Sequence, residues 1–133
     1  MTRDAKHPRK IIHTSQAPQA IGAYSQGVCW GNLVFTAGQI PLVPDTGQLA
    51  VGSFEDQVQQ VLRNISGILA AAGSSLDDVL KFTVYLTSLD DYAGLNAVFN
   101  RYFTADPPAR SVVQVAALPL GVTVEIEAIA VTH

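Results

Sequence analysis

The chain has 133 residues, 48% of them apolar and only 14% charged, with a net charge of −3. That is enough for one domain with a substantial core, and it carries less charge than the usual quarter or so of a soluble protein. The acidic balance gives no electrostatic basis for binding nucleic acid or an anionic membrane, the lone Cys29 excludes an intrachain disulfide, and no apolar run approaches the roughly 20 residues of a membrane span.

Residues 1–10 read as a loose tail in which Arg3, Lys6, Arg9 and Lys10 are interrupted by Asp4. Residues 11–133 read as a single domain. The absence of a signal-like apolar region near the start points to the cytoplasm, with organellar import left open. Residues 10–15, "KIIHTS", make a short first strand. A loop carrying Tyr24 follows. Two β-rich runs then flank Gly31-Asn32, a two-residue hairpin signal. "IPLVPDTGQL" is turn-rich.

Phe54, Val58, Val61, Leu62, Ile65, Leu69 and Ala72 recur at three- and four-residue steps and predict a helix. Ser53 is placed to cap it, Glu55 and Asp56 suit its positive end, and Gly73 stops it. Residues 79–87 alternate, with Leu80, Phe82, Val84 and Leu86 expected on one face of a half-buried strand. A second helix, capped near Ser88 or Asp90, carries Tyr92, Leu95, Phe99, Tyr102 and Phe103 on its apolar stripe, and Pro107 and Pro108 end it. Strands over 111–117 and 122–132 close the chain.

The order β-β-β-α-β-α-β-β favours crossovers that put both helices on one face of a mixed sheet, a two-layer α+β sandwich. The other face then has no helix to cover it. Yet the last strand is apolar on both sides: Val124, Ile126, Ala128 and Ala130 on one, Ile129 and Val131 on the other. An exposed apolar face of that kind predicts a homo-oligomer packed through its sheets.

Few residues are placed for chemistry. His7, His13 and His133 are scattered and no metal-binding spacing occurs, so no metal is expected; no nucleotide-binding glycine pattern appears either. Cys29 sits between Val28 and Trp30 and reads as packing rather than a nucleophile. Glu125 and Glu127 share one face of the last strand, either as site carboxylates or as solvated guards against aggregation. Asn96 lies beside the apolar stripe, satisfied by backbone or lining a cleft. Arg110, in "PPARSVV", has a planar fork suited to a carboxylate. Spacing alone leaves it open between an ion pair with Glu125 or Glu127 and an anion-binding role.

"GAYSQG" at 22–27, "TAGQIP" at 36–41, "PPARSVVQVAALP" at 107–119 and "VEIEAIAV" at 124–131 together resemble the RidA/YjgF family of reactive-intermediate imine deaminases. The similarity runs from about residue 11 to the end, in matching order and spacing. It implies a chorismate-mutase-like α+β fold and a trimer whose three sheets form a central barrel. It also implies three ligand clefts between neighbouring subunits, and hydrolysis of enamines and 2-iminoalkanoates to 2-oxoacids and ammonia without a cofactor. By the same resemblance Arg110 clamps the substrate carboxylate and Glu125 activates water. Tyr24 and Asn96 line the cleft, and Gly38 and Val112 meet the ligand through backbone. Two departures stand out: Ala37 where some members have Ser, and Val112 where many have Cys, which excludes a thiol mechanism there. The partners expected are a small imine or 2-oxoacid ligand and further copies of the chain, with neither nucleic acid nor membrane. A ribonuclease or translation inhibitor, and a non-catalytic ligand-binding module or holdase, are the alternatives.

Overall fold

The computed structural model describes residues 8–133; the reading of Arg3, Lys6 and His7 lies outside the described residues. Eight regular elements follow the expected order: β1 (Lys10–Ile12), β2 (Gly27–Trp30), β3 (Leu33–Thr36), α1 (Phe54–Ala71), β4 (Val79–Leu86), α2 (Tyr92–Tyr102), β5 (Ala109–Gln114) and β6 (Val124–Val131). Lys10 already belongs to the sheet. The six strands line up as β1-β2-β3-β6-β4-β5. Only the β4–β5 pair, joined through α2, is parallel.

Helix α1 begins and ends for local reasons. The Ser53 side chain accepts from the Asp56 amide and the Asp56 carboxylate accepts from the Ser53 amide, a reciprocal cap. At the other end the Ser74 and Gly73 amides bond back to Leu69 and Ala70, and Gly73 takes the left-handed φ of 77° that this stop needs. The Gly31-Asn32 hairpin forms as expected, with Trp30 paired to Leu33.

The core fills the layer between helices and sheet. Val58, Val61, Leu62, Ile65, Ile68 and Leu69 of α1 and Leu95, Val98 and Phe99 of α2 pack on Phe82, Val84, Leu86, Val124, Ile126, Ala128 and Ala130. Phe82 anchors an aromatic group, with its ring centre 5.3 Å from Phe99 and 5.5 Å from Phe103. Cys29 is buried among these residues, and burial pushes its thiol pKa up.

One face assignment is corrected. The register of β4 on β6 slips between Val79 and Lys81. This bulge inserts one residue, so Val79 turns inward with Phe82, Val84 and Leu86, while Leu80 is 48% exposed. The alternation holds only beyond the bulge. β5 is corrected too: it starts at Ala109 rather than 111, so Arg110 lies within the strand.

Among the described residues, no helix lies over the second sheet face. Across it run Ile11, Val28, Phe35 and Ile129, successive partners on β1, β2, β3 and β6. Ile11 and Phe35 remain 52% and 42% exposed. No helix among the described residues is long and apolar enough to cross a membrane.

A buried amide ties the loop after β1 to the sheet. The Gln26 side chain accepts from the Thr14 amide at 2.7 Å and donates to the carbonyls of Thr14, Ala17 and Pro18 at 3.0, 3.2 and 2.8 Å. Gln26→Leu keeps the size and removes every one of these bonds. It is expected to cost about 3 kcal/mol by stranding buried backbone groups, read as a lower urea midpoint at unchanged m value.

Candidate active site

The residues singled out from the sequence gather into two clusters on opposite sides of the sheet. The first surrounds Glu125 on the open face. Val124 and Ile126, its neighbours on β6, are fully buried beneath the helices, so Glu125 points away from them, opposite Tyr85. A cleft of about 340 Å3 opens beside it, lined by Ile21, Tyr24, Ala37, Gly38, Ile40 and Leu42 among others. The Tyr24 hydroxyl accepts from the Ile21 amide at 3.2 Å, and the ring stays half exposed.

The strand-like run Ala37–Gln39 is drawn against Glu125 by two backbone bonds between Gln39 and Ile126, 2.8 and 3.0 Å long, and by the Ala37 amide on the Gln26 carbonyl at 2.8 Å. A Cβ on Gly38 would sit 2.9 Å from the Glu125 carboxyl carbon and closer still to one of its oxygens. Glycine is therefore what lets the carboxylate lie against this backbone. Asn64, fully buried on α1, fixes the far wall by donating to the carbonyls of Ile40 and Leu42 at 3.3 and 2.9 Å. Burial, and next the charge of Glu127, push the Glu125 pKa above the ordinary glutamate value.

The second cluster surrounds Arg110 on the helix side. Arg110 pairs in register with Phe82, which faces the helices, so its side chain turns the same way. One terminal nitrogen, Nη2, donates to Asn96 Oδ1 at 2.6 Å and to the Tyr92 hydroxyl at 3.3 Å. The guanidinium carbon lies 4.9 Å from the centre of the Phe99 ring and 5.5 Å from that of Tyr92. Two aromatic faces thus hold the cation in place. A smaller cleft of about 260 Å3 adjoins it, lined by Asn96, Phe99, Asn100, Phe103, Pro107 and Pro108.

The ion pair left open by spacing does not form within the chain: the two salt bridges among the described residues are Arg101–Glu55 and His133–Asp78. Asn96 bonds to Arg110 rather than to backbone. The Val112 side chain packs against the core, opposite Val84, and offers nothing polar. No group of three or more His, Cys, Asp or Glu able to hold a metal occurs among the described residues. Sequence reading passed over Gln26, Asn64 and the bonding role of Tyr92. Their partners lie far along the chain, so no local pattern marks them; only the polarity of Asn64 amid α1's apolar residues signals anything.

These features define a two-layer α+β domain with a cation-bearing cleft on one side of the sheet and a carboxylate-bearing cleft on the other. The family model described as Endoribonuclease L-PSP matches residues 14–132. The 2-iminobutanoate/2-iminopropanoate deaminase of Rattus norvegicus is 46% identical over 123 residues, covering 92% of this chain and 90% of the rat protein. The crystal structure of Escherichia coli TdcF with bound serine superposes with a TM-score of 0.88 at 49% identity, covering 93% of this chain and 99% of that one. Yeast Mmf1 gives a TM-score of 0.91 at 40% identity, over 95% and 100%. The chain belongs to the RidA/YjgF family, and its fold is that family's fold.

Proposed function

We propose that the protein is a hydrolytic deaminase of 2-iminoalkanoates and their enamine tautomers, working at sites shared between copies of the chain. The observation that carries the reading is the placement of Arg110 and Glu125 on opposite sheet faces. No small substrate reaches both in one chain, whereas the exposed apolar sheet face calls for further copies. A ring of three, packed sheet to sheet as the family resemblance implies, brings the Arg110 side of one copy to the Glu125 side of the next. The names of the rat relative and of TdcF's bound serine, a small amino acid, support the substrate class.

In this reading Arg110 grips the substrate carboxylate, preset by Asn96, Tyr92 and Phe99. Tyr24 and Gly38 of the neighbouring copy, with the backbone at Val112, shape the space around the reacting carbon. Water adds to the imine carbon while Glu125 takes one water proton and delivers it to nitrogen, giving a carbinolamine. Glu125 then carries the hydroxyl proton to the same nitrogen as the carbon–nitrogen bond breaks. One water is consumed; a 2-oxoacid and ammonia leave. Fixing the substrate by its carboxylate supplies most of the acceleration, and a glutamate whose pKa is raised shuttles protons better near neutrality than an ordinary one.

The test is direct. An imine generated in situ by a dehydratase should give its 2-oxoacid faster in the presence of this protein; no acceleration with any aliphatic imine defeats the proposal. Gly38→Ala, which forces the Glu125 carboxylate aside, is expected to slow turnover about 10-fold or more while the thermal midpoint moves little. The ribonuclease reading has the family model's description behind it, but a net charge of −3 gives RNA little to bind.

A further inference from the structure

The open sheet face holds two glutamates, and the reaction above uses one. Glu127 follows Glu125 by two residues on β6 and points to the same side. In register, Tyr85 stands opposite Glu125 and Thr83 opposite Glu127. Yet the Tyr85 hydroxyl does not bond to the residue it faces. It reaches diagonally and donates to Glu127 Oε1 at 2.6 Å. That is a short, charge-assisted bond. The Tyr85 side chain therefore stands across from one carboxylate while fixing the other, and an anion is anchored about two residues' rise, roughly 6.6 Å, from Glu125.

The surroundings leave this coupling largely unopposed. Neither glutamate is in an ion pair among the described residues. From β4, Glu125 is faced by Tyr85; from β5, the next residue in that row is the uncharged Val113. Tyr24 and Gly38 close the cleft side. Lys81, the cation of this face on β4, pairs with Ile129, one step beyond Glu127. In the proposed assembly Arg110 of a second copy comes from across the boundary. Tyr85 is a dependable donor: its bond to Glu127, then burial, then the two glutamate charges push its pKa up to about 12.

We propose that Glu127 and Tyr85 are positioning residues for Glu125: the Glu127 charge, held in place and partly spread by the Tyr85 hydroxyl, sets how readily Glu125 takes up and releases a proton. The assignment of a catalytic task to that proton rests on the deaminase reading; the coupling itself does not. The charge of Glu127 is already one cause of the upward push on Glu125.

Two variants alter the same hydrogen-bonded pair with opposite electrical consequences. Glu127→Gln removes the neighbouring charge, so the titration of Glu125 should move down by about 0.5–1 pH unit. Tyr85→Phe leaves that charge and strips its donor, so the titration should move up by a smaller amount. A role in packing alone moves both the same way or neither, and that result overturns the proposal. The titration is read by carbon NMR of side-chain-labelled glutamate, with the Glu125 signal identified by its loss in Glu125→Gln, and separately as the acid limb of kcat/KM. Opposite NMR shifts without imine turnover keep the coupling and sink the deaminase reading. Turnover with an unmoved Glu125 signal does the reverse. Should Glu127→Gln not fold, Tyr85→Phe still decides: an upward shift supports the coupling and no shift overturns it.

Discussion

Arg110→Ala and Glu125→Gln, each lacking activity alone, are expected to regain about one quarter of the wild-type rate when unfolded together in equal amounts and refolded as mixed oligomers. The number follows from the geometry. A working site needs an intact arginine from one copy and an intact glutamate from the next. In a randomly mixed ring each requirement is met half the time, independently, so about one site in four is whole at any closed ring size. Sites built within one chain would stay dead at every mixing ratio, and that outcome would refute a shared site. Each variant alone should lose about 100-fold or more in kcat/KM. Arg110→Lys should not restore it: a single ammonium cannot lie between Tyr92 and Phe99, bond to Asn96 and still present a fork to a carboxylate. Size-exclusion chromatography with light scattering on each variant separates this loss from loss of assembly.

The second large effect is on the chemistry of Glu125 itself. Glu125→Gln is expected to abolish turnover while leaving the fold as stable as before or slightly more so at pH 7. The sign comes from its raised pKa. Burial and the Glu127 charge disfavour the ionised form in the folded chain more than in the unfolded one. The resulting penalty is full above the folded-state pKa, fades as pH falls through it, and is gone below the unfolded-state value near 4.3. The thermal midpoint of Glu125→Gln should therefore match or exceed wild type at neutral pH, with the gap closing toward pH 4. The wild-type acid limb of kcat/KM should lie above the ordinary glutamate range for the same reason. A variant that unfolds far below wild type at pH 7 would mean that the carboxylate supports the fold rather than strains it.

Much of this was legible in the residues. The stripe of α1, the Ser53 cap, the Gly73 stop and the Gly31-Asn32 hairpin depend on neighbours within a few positions, so pattern reading reached them. Arg110 and Glu125 stood out because a charge inside an apolar run needs a reason. What pattern could not reach was how they face. Locating β5 two residues late left Arg110 outside the strand, where period-two reasoning had nothing to say about its direction. Pairing with Phe82 decides that it meets Asn96 and Tyr92 on α2. Leu80 shows the same limit: its alternation with Phe82 is sound locally, and a bulge against Ala130 and Ile129 overrules it.

The sequence by itself determined which segments become helix or strand, where α1 begins and stops, and which residue types were available for chemistry. All of that is carried by short-range periodicity and capping. Only the tertiary structure decided that β6, last in the chain, lies between β3 and β4. It also decided that Gln26 and Asn64 suspend the loops of the Glu125 cleft, and that the cation and the carboxylate end on opposite sides of one sheet. Those outcomes depend on strand pairing and buried hydrogen bonds between distant residues, and the energy of such contacts leaves no mark on the local order of residues.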